Sequence, residues 1–329
     1  MTFSLSVTAA IHLIHASDCC DLPFKSFLVS NLHRPFLLTG ASGWFGRTAL
    51  WEYEQVHGPA AVRRDVLPFS SKECWVDFDS PHGPVRAQPL SAITEVPHPR
   101  GLLHLAFLTR DKVEELGLRR YVQINRSISA RVAKVLRQCP TMPVVATSSG
   151  AAAILDSKDP DLKANPYATL KQEEERSLEI ESATRMAFVF RVYAASGRFM
   201  NSPKLFALGD FVSKAIAGEA LKISSRRPVL RSYVHVGTLM RLCWLMLRQP
   251  SAEGFQRVDA CTDTLSLVEL AEQISVLWRL PLPEYELDPS LEPDCYQADV
   301  GPFCELLQSH GMSAPSLIHQ IQDTALAFC

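Results

Sequence analysis

Long apolar runs are missing from this 329-residue chain. No stretch approaches the roughly 20 apolar residues that a membrane span needs, so no membrane is expected as a partner. Residues 4–16 are moderately apolar, but they lack a basic leader and are interrupted by His12 and His15. They read as an extra strand, a loose arm or an early start site rather than a secretion signal. An excess of one charge is missing too. Thirty-three basic and 35 acidic residues give a formal net charge of −2, with the two signs interspersed. Nothing marks a groove for a phosphate backbone, and nucleic acid is excluded as a probable partner class. Cysteine is present, yet nine residues is an odd number, with one adjacent pair (Cys19, Cys20) and no C-x-x-C. That pattern argues against a disulfide framework and against zinc, so no metal is expected, and a reducing cytoplasmic setting fits best. Internal repeats and low-complexity tracts are likewise lacking.

What is present is a rhythm. From Pro35 onward short apolar runs alternate with longer segments of helical period, which is how repeated βαβ units around a parallel sheet read. Strands are predicted over residues 36–39, 65–69, 85–90, 102–108, 144–147 and 186–192, and helices over 43–56, 121–136 and 167–181. Beyond residue 194 the rhythm changes to a helix (206–217), short strands (221–224, 233–236) and helices (238–247, 265–278). A proline-rich passage at 281–293 then precedes a last helix at 316–328. The fold class is therefore α/β: a Rossmann-type doubly wound parallel sheet with a smaller C-terminal α/β lobe. The expected division is an N-terminal extension (1–34), a dinucleotide-binding domain (35–193) and a mainly substrate-binding lobe (194–329).

Gly40, Gly43 and Gly46 form G-x-x-G-x-x-G where the first strand gives way to the first helix. Glycines let the backbone approach a pyrophosphate closely, and a helix start directs its N–H groups and positive dipole end at the phosphates. Ser42, Trp44, Phe45 and Arg47 belong to the same turn and are assigned to the cofactor with it. The residue that meets the adenosine ribose is expected at the end of the second strand. There the chain reads Ser70-Ser71-Lys72, two hydroxyls and a cation where NAD enzymes carry an acid. With Arg47 as a second cation, this suits a 2′-phosphate, so NADP is favoured over NAD.

Tyr167 and Lys171 form Y-x-x-x-K at the opening of a helix, and residues four apart share one helical face. A tyrosine, with a reference pKa of about 10, needs roughly 4 kcal/mol of anion stabilisation to exchange protons at neutral pH, and Lys171 is the cation placed to supply it. Thr147-Ser148-Ser149 places hydroxyls at the exit of the fifth strand, the edge where open α/β sheets bind ligands. Ser149 can there hydrogen-bond a substrate oxygen while hydride moves at the neighbouring carbon.

At this point the chain resembles the extended short-chain dehydrogenase/reductases, and among them the NAD-dependent epimerase/dehydratase family that modifies nucleotide sugars. The similarity runs from about residue 35 to 258. It implies that Ser149, Tyr167 and Lys171 are catalytic and that Lys171 also holds the nicotinamide ribose. It implies further that Ala106 and Phe107, in the run His104-Leu105-Ala106-Phe107, line the cofactor with Thr147, and that Asn125 supports the site through its backbone or a water. Tyr193, after Phe190-Arg191-Val192, is similar to the strand entering the substrate lobe. Arg231, in Arg231-Ser232-Tyr233-Val234-His235-Val236, resembles the arginine that grips the substrate diphosphate. The runs at 206–211 and 217–218 echo members linked to surface polysaccharides.

The chain also departs from the family. Ala194 stands where relatives place an asparagine, Gly237-Thr238 replace an acidic pair, and Gln88-Pro89-Leu90 lack an aspartate. Gly150-Ala151 follow Ser149 where sugar dehydratases carry acids, so dehydration is demoted. The resemblance implies a homodimer formed through the two long helices. The implied activity is reduction of a keto-sugar nucleotide by NADPH. An NAD-dependent epimerase is the alternative, and a non-catalytic dinucleotide sensor or scaffold is the alternative of another class.

Overall fold

Residues 34–156 and 161–328 are described by the structure, a computed structural model. The apolar stretch at 4–16 and the Cys19–Cys20 pair lie outside the described residues. The first seven strands are β1 (Phe36–Thr39), β2 (Val66–Ser70), β3 (Cys74–Val76), β4 (Val85–Pro89), β5 (Gly101–His104), β6 (Val144–Ser149) and β7 (Met186–Val192). The rest are β8 (Ala194–Ser196), β9 (Lys222–Ile223), β10 (Val229–His235), β11 (Gly254–Ala260), β12 (Asp263–Ser266), β13 (Glu284–Tyr285) and β14 (Asp294–Tyr296).

Eight strands form one sheet in the order β11-β7-β6-β5-β1-β2-β4-β3, parallel throughout except for the antiparallel edge strand β3. The central strands β1, β5 and β6 are buried at every position, because helices cover both faces of a parallel sheet. That is why they read as continuous apolar runs rather than as alternation. Successive strands run outward from β1 through β2 to β4, then restart on its other side at β5. The crevice between the carboxyl ends of β1 and β5 is therefore the switch point where such sheets receive ligands. Register fixes its floor: Thr39 and His104, the last residues of β1 and β5, lie side by side.

A second sheet gathers around β10, which pairs in parallel with β8 and β14 and antiparallel with β12. Helices Ala207–Ile216, Leu267–Trp278 and Leu317–Ala325 pack around it. The chain does not leave the large sheet for good at residue 194, however. β11 returns to pair with β7 over seven residues, and the helix Val236–Arg248 packs on the helix Trp44–His57, its Trp244 indole donating to the Ala49 carbonyl at 2.8 Å.

Four sequence expectations differ from the structure for identifiable reasons. The strand predicted to run to 108 ends at His104, since the N–H groups of Leu105 and Ala106 turn to the Thr39 hydroxyl. β11 escaped notice because it is an edge strand, half-covered, with two adjacent exposed polar residues, Gln256 and Arg257, in its middle. The passage at 281–293 contains β13, paired with β9, and leads directly into β14. The nine-residue helix Gly301–Ser309 was not predicted, because only Phe303 and Leu307 of it are buried.

One buried ion cluster ties these layers together. Arg191 on β7 reaches Glu175 on the helix Pro166–Ile180 through two hydrogen bonds of 2.9 and 2.7 Å, and Asp156 through two of 2.6 and 2.9 Å. A guanidinium matched by two carboxylates in a bidentate manner fixes both distance and angle. It thus sets where Tyr167, two turns earlier on that helix, meets the sheet.

Candidate active site

Beyond Thr39 the chain turns at Gly40 with φ +72°, a conformation L side chains rarely adopt. A Cβ at Gly40 would stand 2.8 Å from the Ala106 nitrogen, so the turn crosses directly over the end of β5. Gly43 donates to the Gly40 carbonyl at 3.0 Å, and Arg47 closes the first helical bond onto Gly43 at 2.9 Å. The N–H groups of Trp44, Phe45 and Gly46 precede that bond, and no side chain caps the helix start. A Cβ on Gly46 would lie 2.2 Å from the Gly40 carbonyl, which means helix and turn are in backbone contact. This is a cradle of backbone donors at a helix start, and it fits a dinucleotide diphosphate. Trp44 is nine-tenths buried with its ring edge-on to Phe45 and Phe206.

At the end of β2 the hydroxyls of Ser42 and Ser70 meet at 2.7 Å, while Ser71 and Lys72 are exposed. Glu73, the next residue, is exposed and paired with Arg86. Arg47 is occupied elsewhere: its Nε donates to the Asp77 carbonyl at 2.5 Å and its guanidinium lies 4.3 Å over the Phe199 ring.

Ser149 closes β6 and Tyr167 opens the helix Pro166–Ile180. Burial pushes the Tyr167 phenol above its ordinary value; the Ser149 hydroxyl opposes that shift and the charge of Glu174 adds to it. The Tyr167 ring meets Phe107 edge-on, at 5.7 Å between centroids. Ser149 Oγ also lies 3.1 Å from the hydroxyl of Tyr296, whose ring packs 4.8 Å from that of Tyr193.

Lys171 takes partners other than the ones the sequence suggests. Its ammonium donates to the Thr147 carbonyl and to Glu174 Oε2, both at 2.9 Å, and faces the Phe107 ring at 3.9 Å. Glu174 Oε1 in turn meets His104 Nε2 at 3.0 Å. Burial alone would raise the Glu174 carboxyl; Lys171 and His104 outweigh it and hold the group at about 2. Asn125 is buried on the helix Leu118–Gln138. Its side-chain carbonyl, not its backbone, accepts from the Leu108 N–H at 2.8 Å and so fixes the segment carrying Ala106 and Phe107. Arg231 is held by β14, with hydrogen bonds of 2.8 Å to the Asp294 carbonyl and to its carboxylate.

The structure thus brings Ser149, Tyr167, Phe107, Thr147 and Lys171 together beside the glycine turn, and leaves Lys72 and Arg231 on its rims. Three neighbours escaped sequence reasoning. Tyr296 arrives because Arg231 and Tyr296 are register partners on β10 and β14, and a single tyrosine after a proline-rich passage carries no signal. Glu174 and Glu175 carry no signal of their own in a helix rich in glutamate, yet both are buried.

The NAD dependent epimerase/dehydratase family model matches residues 36–258. The chain belongs to that family. None of the curated proteins matches it in sequence. Among solved structures it is similar to MoeE5 in complex with UDP-glucose and NAD, with a TM-score of 0.67 at 18% identity over 89% of this chain and 98% of that one. It is also similar to the UDP-N-acetylglucosamine 4-epimerase from Methanobrevibacter ruminantium M1 in complex with UDP-N-acetylmuramic acid, with TM-score 0.68, 18% identity and coverage of 90% and 98%. The UDP-glucose 4-epimerase from Brucella ovis in complex with NAD gives 0.66, 16%, 89% and 98%. At such identities the likeness establishes the fold, and it extends over both the large sheet and the smaller lobe of this family member. No group of metal-ligating side chains occurs among the described residues, and no described helix is long and apolar enough to cross a membrane.

Proposed function

We propose that this family member is an NAD(P)-dependent oxidoreductase acting on a nucleotide-activated sugar, and that it works as a keto-sugar reductase in surface-polysaccharide biosynthesis. The observation carrying the proposal is the placing of Ser149 at the end of β6 and of Tyr167 at the start of the helix Pro166–Ile180, both at the carboxyl edge of the sheet beside the glycine cradle. The reduced nicotinamide, when bound, supplies the hydride. Ser149 orients the substrate carbonyl oxygen, and Tyr167 passes its phenolic proton to that oxygen, for which the raised proton affinity of a buried phenol suits it as a donor. Gly40, Ser42, Gly43 and the backbone of Trp44, Phe45 and Gly46 hold the diphosphate. Ala106, Phe107, Asn125, Thr147 and Tyr193 border or support the nicotinamide side. Arg231, released from Asp294, meets the substrate diphosphate.

NADP is the proposed cofactor, because the end of β2 offers Ser70, Ser71 and the exposed Lys72, while the carboxylate that follows them in the chain, Glu73, is taken by Arg86. Arg47, tied to Asp77 and Phe199, contributes less than the sequence suggested. Two copies are proposed to meet through the helices Leu118–Gln138 and Pro166–Ile180, which already lie against each other and carry the Arg126–Glu173 pair. The domain roles follow: residues 35–193 for the cofactor, 194–329 mainly for the substrate.

An epimerase is the second reading, favoured by the names of the similar structures. The retained nucleotide separates the two. Protein purified through gel filtration is denatured and its ligands weighed by mass spectrometry, and NADPH oxidation is then followed over a series of keto-sugar nucleotides. Oxidation with no NAD retained supports the reductase. Tightly held NAD with no oxidation overturns it in favour of the epimerase.

A further inference from the structure

A cavity of about 570 Å³ opens between the helix Trp44–His57, the start of the helix Val236–Arg248 and the helix Leu317–Ala325. Small-molecule sites span about 300–1,000 Å³. None of the residues assigned to cofactor, catalysis or substrate lines this one. Its charged walls are Glu52, Arg198, Arg241, Asp323 and the imidazoles of His235 and His319.

Some of these groups are spent on one another. The Thr238 N–H donates to His235 Nδ1 at 3.2 Å, so that nitrogen carries no hydrogen. The ring is neutral, and its Nε2 hydrogen goes to Asp323 Oδ2 at 3.0 Å. Oδ2 also accepts the Arg198 backbone N–H at 2.9 Å, and Oδ1 takes Arg198 Nε and Nη2 at 2.9 and 2.7 Å. Both oxygens of Asp323 are therefore filled. Two guanidinium ends are not. Arg198, its guanidinium 3.7 Å from the centre of the Trp51 ring, keeps Nη1 without a partner among the described residues. Arg241 gives Nε and Nη2 to Glu52 Oε2, at 2.9 and 2.8 Å, and likewise keeps Nη1. His319 is exposed, with its ring 5.4 Å from that of His235 and its nitrogens unspent.

Glu52 is the acceptor among these donors. It is 4% exposed, and its Oε1 has no partner among the described residues. A Cβ at Gly237 would stand 2.6 Å from that oxygen, so the missing side chain at 237 makes room for it. Burial raises the Glu52 carboxyl above its ordinary value against the pull of Arg241, which is what a buried carboxylate short of donors should show.

We propose that this cavity is a second binding site, for a small hydroxylated anion of the size of a sugar phosphate: the Nη1 ends of Arg198 and Arg241, with His319, meet the anionic group, and a ligand hydroxyl donates to Glu52 Oε1. Net charge does not make the choice, since two arginines face two carboxylates. The unspent valences do, being donors on two cations and one imidazole against a single acceptor. A neutral sugar brings no charge to the guanidinium ends, and an anion without a hydroxyl brings no hydrogen to Glu52. Trp51 and Glu52 belong to the helix that begins at the glycine cradle, whereas His319 and Asp323 belong to a helix packed around the second sheet. An occupant therefore ties the two together.

The full chain is titrated calorimetrically with glucose 1-phosphate, glucuronate, glucose and inorganic sulfate, each with and without saturating NADPH, or NADH if NAD is the cofactor. One molecule of glucose 1-phosphate or of glucuronate is expected to bind per chain whether or not the dinucleotide is present, the tighter of the two naming the anion as phosphate or carboxylate. Glucose lacks the charge and sulfate the hydroxyl, so each should bind at least about 10-fold more weakly, the worth of one charge-assisted hydrogen bond. Glu52→Gln/Arg241→Gln, which leaves no unpaired buried charge, should weaken the sugar anion roughly 10- to 100-fold. Should that variant not fold, His319→Ala, a change at an exposed residue, and the shape-conserving Glu52→Gln take its place and must each weaken binding. Neither sugar anion binding in a saturable manner overturns the inference. So does displacement by the dinucleotide, or binding that these variants leave unchanged, since either puts the ligand elsewhere. Sulfate binding as tightly as the sugar anions overturns it too, because Glu52 then plays no part. The readout is binding alone, so it is independent of whether a keto-sugar nucleotide is reduced.

Discussion

Adding one methyl group at Gly46 separates the contribution of the glycine turn to the fold from its contribution to cofactor binding. The alanine Cβ would lie 2.2 Å from the Gly40 carbonyl oxygen, 2.5 Å from Ala41 Cα and 2.7 Å from the Ala41 carbonyl carbon. These are all backbone atoms, so no side chain can swing aside. Ordinary contact begins near 3.4 Å, and the helix Trp44–His57 must therefore retreat from the turn by about 1 Å. Overpacking of this kind costs about 1–3 kcal/mol, against which alanine recovers up to roughly 1 kcal/mol of helix preference. The expected net loss is about 1–2 kcal/mol, seen as a thermal midpoint lower by several degrees. The same retreat carries the Trp44, Phe45 and Gly46 N–H groups off the diphosphate. Losing one charge-assisted bond of about 1.5–3 kcal/mol weakens binding roughly 10- to 100-fold, measured by titrating NADPH fluorescence. Gly43→Ala is the control: its Cβ meets only the Gly40 oxygen, at 3.4 Å, and its φ is −81°, so it should melt with the parent. Gly46→Ala that melts and binds as the parent does, or Gly43→Ala that unfolds as readily, refutes the contact between helix and turn.

Tyr167→Phe removes the proton donor while keeping the ring against Phe107; turnover is expected to fall by about 10²- to 10⁴-fold, with NADPH affinity, read by fluorescence, little changed. Arg191→Met leaves the buried Glu175 with Arg257 alone, 3.2 Å away, so the loss, read as a lower urea midpoint, should fall below the about 3–5 kcal/mol of a buried charge stripped of its partner. Glu174 is held below its unfolded value, at about 2, so it contributes its stability above the unfolded pKa near 4.5 and loses it as pH falls towards 2. At about 1.4 kcal/mol per pH unit this is about 3 kcal/mol. Urea midpoints measured between pH 6 and 2.5 should show that loss, and Glu174→Gln should lack this part of it.

How far the sequence could be read depended on how locally each feature is encoded. β1 and β7 were placed to the residue because a strand covered on both faces is apolar along most of its length, and the glycine spacing named the turn because close backbone contacts at Gly40 and Gly46 leave no room for a side chain. β11, equally part of the sheet, was invisible: at an edge only one face is covered, and its Gln256 and Arg257 break any run. Boundaries failed where a side chain competes with the ladder, as Thr39 does when it captures the N–H groups that would have prolonged β5.

The site shows the same division more sharply. Ser149, Tyr167 and Lys171 were legible because each is tied to a strand end or a helical face, and periodicity specifies both. Which atom each of them touches is decided by partners far away in sequence. His104 is 70 residues from Glu174, and Tyr296 is 147 from Ser149. No spacing rule reaches across such gaps, so the lysine looked free to serve the tyrosine. In the structure its ammonium meets a carboxylate one turn further along the same helix. A glutamate on a glutamate-rich helix is ordinarily a solvated residue; this one is buried where Lys171 and His104, the last residue of β5, both bond to it. Altering Thr39 should therefore reach the lysine through three successive hydrogen bonds, and should also free the N–H groups of Leu105 and Ala106 beneath the glycine turn.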